Sequence, residues 1–368
     1  MATALDSITI RGFKSVKEME GFKLNSLNIL IGGNGDGKSN FIEVFKLLNN
    51  MAHLNLSTYI QSGGGADGFL YNGPKETEEV AFDFVFGNNS YGFCLKPTAD
   101  ERFVVIKEYE SYLGRKKGLY STGLESSLTP VKDEQSKTHP GYSGVGHYVY
   151  HAIVNWVVYH FHDTGATAPM RRSEIVEDNA RLRPDAANIA PFMYHLSDSD
   201  QHAYATIVDT IRLVTPFFDD FILKPVKNGD AEKVKLMWRQ KGSDYPLQPY
   251  HFSDGTLRFI CLVTALLQPN PPSTILIDEP ELGLHPYAIE ILTELIKSIS
   301  QKTQIIISTQ SPSLIDGFEA GDIVTVNRKD GGSTFERLNA EELSNWLKDY
   351  SLGELWRKNV FAGGPAHE

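Results

Sequence analysis

Residues 27–48 read LNILIGGNGDGKSNFIEVFKLL, an apolar run of strand length, then a glycine-rich turn, then Phe41, Ile42, Val44, Phe45 and Leu48 at helical spacing. The order strand, turn, helix follows from those periods. The turn fits G-x-x-x-x-G-K-[ST] through Gly32, Gly37, Lys38 and Ser39. Such a turn aims main-chain N–H groups at phosphates, the helix start adds positive potential, the lysine reaches the outer phosphates and the hydroxyl ligates Mg²⁺. Gly32, Asn34, Gly35, Gly37, Lys38, Ser39 and Asn40 are therefore the expected ATP-binding residues, and Ser39 is also an expected Mg²⁺ ligand.

A cradle alone hydrolyses nothing; it needs a metal-holding acid and a group that activates water. Far along the chain, STILIDEPELGLHP carries an apolar strand over residues 274–277 that ends in Asp278 and Glu279. An acid at the carboxyl end of a buried strand can hold Mg²⁺, which is the role expected of Asp278. Glu279, one position on, is the candidate to orient and deprotonate the attacking water. Pro286 suits the first turn of a helix with an apolar face of Ile289, Leu292, Leu295, Ile296 and Ile299. That helix leads to TQIIISTQSPS, where residues 305–307 form a second buried strand and residues 308–311, Gln310 among them, stand at its end, where a γ-phosphate sensor would belong. Two short apolar strands bridged by a helix make a right-handed parallel crossover, so the core is α/β.

One more stretch, HFSDGTLRFICLVTALL, starts a helix at Ser253, Asp254 and Gly255. Taken alone, Ser253 is an N-cap. The order of cradle, serine-glycine helix start, ILIDEP and IISTQS is similar to that of ATPases of the ABC superclass, and FSDGT resembles their signature loop. That resemblance implies that Ser253 and the Gly255 amide bind the nucleotide held by a second head, so that ATP joins two heads and hydrolysis loosens them. The N-terminal ITIRGFKSVKEMEGFKLNSLNILIGGNGDGKSNFIEVF resembles the head entry of RecF, OLD and SMC-like ATPases. YHFHDT, PFFDDFILKP and the tail WLKDYSLGELWRKNVFAGG look like a compact group of predicted RecF-like AAA ATPases of bacteria.

The resemblance implies an ABC-type P-loop head with a mixed or parallel core sheet, an antiparallel β subdomain and an inserted, mainly helical lobe. Residues 1–114 would be the N-terminal part of the head, 115–230 the lobe and 231–368 the C-terminal part. Many relatives have S-T-H-S where this chain has S-T-Q-S; glutamine keeps a hydrogen-bond donor but carries no proton or positive charge, which predicts slow hydrolysis with Glu279 still essential. The glutamine loop of the superclass is represented either by Gln61 or by no residue, Gln61 then being an ordinary polar loop residue. Residues 51–252 hold no sustained heptads, which predicts a compact lobe in place of long arms. Residues 80–86, 91–95 and 103–109 read as strands, and residues 113–147 as an exposed irregular region.

Composition limits the remaining choices. The 368 residues, 41% hydrophobic and 22% charged, suffice for one large or two ordinary domains. A net charge of −11 argues against coating nucleic acid by bulk attraction, although a local groove stays open. The basic candidates for phosphate contact are Arg115, Lys116, Lys117, Arg171, Arg172, Arg181 and Arg183, each also readable as a solvated face. Cys94 and Cys261 fit no metal spacing and read as small hydrophobes in a reducing compartment. His160, His162 and Asp163 read as a polar face beside the lobe, with a metal site as the alternative. No apolar run reaches the ~18 residues of a membrane span and the N-terminus lacks a secretory pattern, which predicts a cytoplasmic protein without a membrane role.

The functional expectation is a Mg²⁺-dependent ATPase that works as a homodimer or higher homo-oligomer. By resemblance it acts in DNA repair, DNA surveillance or anti-phage defence, with DNA as a candidate partner. The alternative is an ATP-gated scaffold that controls an effector such as a toprim-type nuclease and has no direct DNA role.

Overall fold

The computed structural model describes residues 4–119, 123–138 and 144–361. β1 (Ser7–Phe13) and β2 (Val16–Lys23) form a hairpin, and β3 (Leu27–Ile31) then leads through the glycine turn into α1 (Lys38–Ala52). After α2 (Leu56–Ser62) come β4 (Val80–Phe86), β5 (Asn89–Pro97), β6 (Phe103–Tyr112) and β7 (Arg115–Gly118). These four join the hairpin in an antiparallel sheet ordered β2-β1-β4-β5-β6-β7. α3 (Leu128–Thr138), α4 (Val145–Val154) and β8 (Trp156–Tyr159) follow. The next stretch holds β9 (Glu174–Ile175), α5 (Ile189–Ser199), α6 (Gln201–Val214), β10 (Phe218–Ile222), β11 (Val226–Asn228), β12 (Ala231–Val234) and β13 (Met237–Gln240). The chain returns through α7 (Asp254–Leu267), β14 (Thr274–Asp278), α8 (Pro286–Ser300), β15 (Gln304–Thr309) and α9 (Pro312–Ile315). It continues through β16 (Ile323–Lys329), β17 (Gly332–Arg337), α10 (Ala340–Leu343) and α11 (Leu352–Arg357).

The second six-stranded sheet, ordered β17-β16-β3-β15-β14-β8, gathers strands from both ends of the chain. β8, β14, β15, β3 and β16 run parallel, and β17 pairs antiparallel to β16. Both faces of its centre are covered, so β3, β14 and β15 are buried along almost their whole length and alternate residues feed two different cores. Ile29, Ile31, Ile275, Ile277, Ile305 and Ile307 pack with α7 and α8. Leu30, Leu276, Ile306 and Val324 pack with α1 and the antiparallel sheet. Each such fully buried side chain contributes about 1.5–3 kcal/mol, so this sheet is the shared wall of the molecule. α7 is buried on nearly every side, as a helix that is apolar all round must be.

The segment expected to be irregular, residues 113–147, instead contains β7, α3 and the start of α4. Tertiary contacts override a weak local pattern there. The buried Glu108 of β6 accepts from Tyr91 Oη (2.6 Å), Ser126 Oγ (2.6 Å) and Ser127 N (2.8 Å), which pins the entry to α3. β8 lies within residues 115–230, yet it hydrogen-bonds β14 as a strand of the head sheet, from Trp156 opposite Thr274 to Tyr159 opposite Ile277. Both cysteines are free. Among the described residues no helix is long and apolar enough to cross a membrane.

Candidate nucleotide site

The register of the parallel sheet decides what meets at its carboxyl edge. Ile31 lies opposite Thr309, Asp278 opposite Ser308, and Ile277 opposite Tyr159. The glycine turn, the 309–311 loop, Glu279 and the 160–163 segment therefore leave the sheet side by side.

The turn is braced by its own main chain. Gly33 N donates to Asp36 Oδ2 (2.5 Å), and the Lys38 ammonium, itself buried, donates to the carbonyls of Gly32 (2.8 Å) and Gly33 (2.7 Å). Burial lowers the Lys38 pKa, opposed by the charges of Asp36, Glu279, Asp278 and Glu281. Gly37 begins α1 at φ +113°, and a Cβ there would run into the hydroxyls of Ser15 and Ser333. Those hydroxyls lie 2.7 Å apart, with Ser333 Oγ also on Asp36 O (2.5 Å). Ser15 belongs to the F-K-S of the β1–β2 turn, which explains why that tripeptide precedes the cradle. Asn40 donates to Ser15 Oγ (2.7 Å), so its side chain braces the turn from behind. Asn34, Gly35 and Ser39 are exposed at the mouth.

The acids are braced by side chains. Asp278 Oδ1 accepts from Ser308 Oγ, Glu279 Oε1 from Gln310 Nε2, and Glu281 Oε1 from Thr309 Oγ1 and from Gln310 N (3.4 Å). Three acids of DEPE thus pair with three consecutive residues of STQS. Glu281 Oε2 is buried without a hydrogen-bond partner among the described residues, and burial raises its pKa. Glu279 has φ +44°, a left-handed conformation that costs a side-chain-bearing residue about 1–2 kcal/mol.

Ser253 caps α7, accepting from Thr256 N (3.1 Å), and is exposed. Gly255 permits close contact with the next loop, since a Cβ there would strike the Gly283 carbonyl. The sequence reading missed Arg258 and Glu281. A charge inside the apolar LRFICL run signals a buried, fully bonded guanidinium. Arg258 indeed donates to Phe161 O (3.0 Å), His162 O (3.1 Å) and Leu282 O. Arg171 is also buried, donating to Thr164 O (2.9 Å), the Pro249 and Phe252 carbonyls and Asp254 (2.9 Å). It is therefore an internal tie of the helix start and not a surface contact for nucleic acid. Arg183 pairs with Asp178 (2.7 Å), while Arg115, Lys116 and Lys117 lie exposed on the edge strand β7.

Gln61 sits exposed in α2. The residues that actually leave the sheet beside Asp278 are His160 and His162, with rings 4.3 Å apart and His162 Nε2 2.9 Å from Asp278 O. Burial lowers the His160 pKa, assisted by His162 and Lys46. Among the described residues no group of three or more His, Cys, Asp or Glu is placed to hold a metal ion.

Residues 27–316 match the family model described as "AAA domain, putative AbiEii toxin, Type IV TA system". A stretch of 78 residues is 35% identical to the Old nuclease of Escherichia phage P2, taking in 21% of this chain and 13% of that protein. Among solved structures, an Smc head bound to the C-terminal winged-helix domain of ScpA aligns over 93% of this chain and 99% of its own, with TM-score 0.61 and 16% identity. A second Smc head, bearing an extended coiled coil and bound to the C-terminal domain of ScpA derived from Pyrococcus furiosus, covers 94% of this chain and 98% of its own at TM-score 0.54 and 15% identity. The fold is that of SMC-type ATPase heads, with mixed and antiparallel sheets in the expected combination.

Proposed function

Because the chain belongs to this AAA-domain family, a RecF/OLD/SMC-like ABC-type ATPase family, we propose that it hydrolyses ATP with Mg²⁺ between two copies of its head. The observation that carries this reading is the pairing of Asp278, Glu279 and Glu281 with Ser308, Gln310 and Thr309 beside the buried Lys38. The residues present fit a magnesium nucleotide. Mg²⁺ asks for only one or two protein ligands besides phosphate oxygens, and the exposed Ser39 hydroxyl with the Asp278 carboxylate supplies that set. When bound, the ion neutralises charge on the phosphates. Lys38 exchanges its two carbonyl partners for phosphate oxygens. Glu279 takes the proton of the attacking water, while the Gln310 amide, which has two N–H groups, orients Glu279 with one and meets the γ-phosphate with the other. Ser253, exposed at the start of α7, and the main-chain amide of Gly255 complete the site of a second copy.

Glu279→Gln tests the reading: ATP should hold it as a dimer in sedimentation, with turnover reduced about 10²–10⁴-fold. Hydrolysis at the parent rate removes Glu279 from its role. Ser253→Arg should abolish turnover while one head still binds ATP, and unchanged turnover argues against a shared site.

We place the switch in DNA repair, DNA surveillance or anti-phage defence. Lys224, Lys227, Lys233 and Lys235 around one concavity of about 600 Å³ favour contact with a nucleic-acid backbone in a chain of net charge −11. The second reading is a scaffold that closes on a nuclease-like effector; the stretch shared with the Old nuclease favours it. ATPase stimulated by DNA supports the first, and indifference to DNA the second.

A further inference from the structure

We propose that His162 is a positioning residue for the acid pair, fixing the peptide between Asp278 and Glu279 and, with Arg258, joining that peptide to the helix that starts at Ser253. This role presupposes the ATP-hydrolysing site described above. A residue such as Glu279, held at φ +44°, persists only where its surroundings over-determine it. The 278–279 peptide is gripped at both ends. Its N–H donates to Ser308 O (2.8 Å) on the β15 side, and its carbonyl accepts from His162 Nε2 (2.9 Å) on the β8 side. The ladder of β8 cannot provide the second bond, because it stops at Tyr159 opposite Ile277. A carbonyl oxygen only accepts, so Nε2 carries the proton in this contact.

His162 is held in turn by Arg258, whose guanidinium binds the carbonyls of Phe161 and His162 on one side and of Leu282 on the other. One turn earlier, Gly255 brings α7 against Gly283. The start of α7, the 161–162 segment and the 279–283 loop therefore form one connected body. A partner nucleotide that engages Ser253 pulls on the same body that orients Glu279, so each site senses whether the other is filled.

The test uses the full chain with His162→Phe, His162→Gln and Arg258→Lys, comparing kcat and KM for ATP with amide exchange of the 275–282 segment in nucleotide-free protein. His162→Phe should lower kcat by about 10²-fold with KM little changed, because a small misplacement of a catalytic group has that effect. It should also speed exchange at Glu279. His162→Gln, which keeps a donor, should restore both; Arg258→Lys should speed the same exchange even if His162→Phe does not fold. Unchanged kcat and exchange in His162→Phe, or equal losses with Phe and Gln, overturns the role. If the parent protein hydrolyses no ATP, the functional reading falls, and the exchange measurement still decides the His162 contact.

Discussion

The two halves of the candidate site are built from different materials. On the cradle side, Gly33 N, the carbonyls of Gly32, Gly33 and Asp36, and the left-handed Gly37 set the shape, so the main chain itself forms the wall of the cradle. On the acid side, Asp278, Glu279 and Glu281 are each held by a side chain from the end of β15 or the residue after it, with one main-chain bond, from Gln310 N to Glu281, beside them. At Gly32 and Gly37, where neighbouring atoms close in on the backbone, that wall tolerates no added atoms. A row of paired side chains can be altered one rung at a time while the strands beneath it stay in place. Substitutions on the cradle should thus damage folding and binding together, and those on the acid side should separate chemistry from stability.

The largest effect is expected at Gly37. Gly37→Val forces a branched side chain into φ +113° and into the Ser15 and Ser333 hydroxyls, which should cost at least about 3 kcal/mol in urea unfolding and abolish ATP binding. A stable Gly37→Val would break the contrast. Ser15→Ala comes next: it strips the hydroxyl that Asn40 and Ser333 share and should cost about 1–2 kcal/mol, since the Asn40 amide donor is partly buried and the Ser333 hydroxyl, whose own proton goes to Asp36 O, is buried.

Glu281→Gln should act in the opposite direction. Burial raises the Glu281 pKa above 4.5, so the folded protein binds more protons than the unfolded chain as pH rises from that value, and stability falls across that window. Removing the charge should raise stability at pH 7 in urea unfolding, with the gain vanishing as pH falls to 4.5. A loss of stability at pH 7 would mean that the rung is structural after all. Ser253→Ala should show the smallest change, about 0.5–1 kcal/mol for an exposed cap, measurable by thermal unfolding.

The same contrast explains what could be read from residues alone. The cradle is contiguous, and its strand, turn and helix lie where the periodicity of residues 27–48 puts them. β14 and α8 were equally legible, because apolar run, acid, proline and helical spacing sit next to one another. His162 was legible only as a polar residue, since its partner carbonyl is 116 positions away and no local pattern encodes it. α3 was missed for a related reason: its polar sequence is weakly amphipathic, and a carboxylate on β6 fixes its beginning. The Arg171 guanidinium resembled a surface charge because a basic doublet in the sequence says nothing about the four carbonyls and carboxylates that surround it.

The position of β3 has a consequence for biosynthesis. It lies between β15 and β16, whose residues come more than 270 positions after it. At about 5–20 residues per second, a ribosome takes on the order of tens of seconds to deliver those neighbours. The nascent cradle strand must wait through that interval with both edges open, which makes early translation, before residue 304 emerges, the period in which this chain most needs a chaperone.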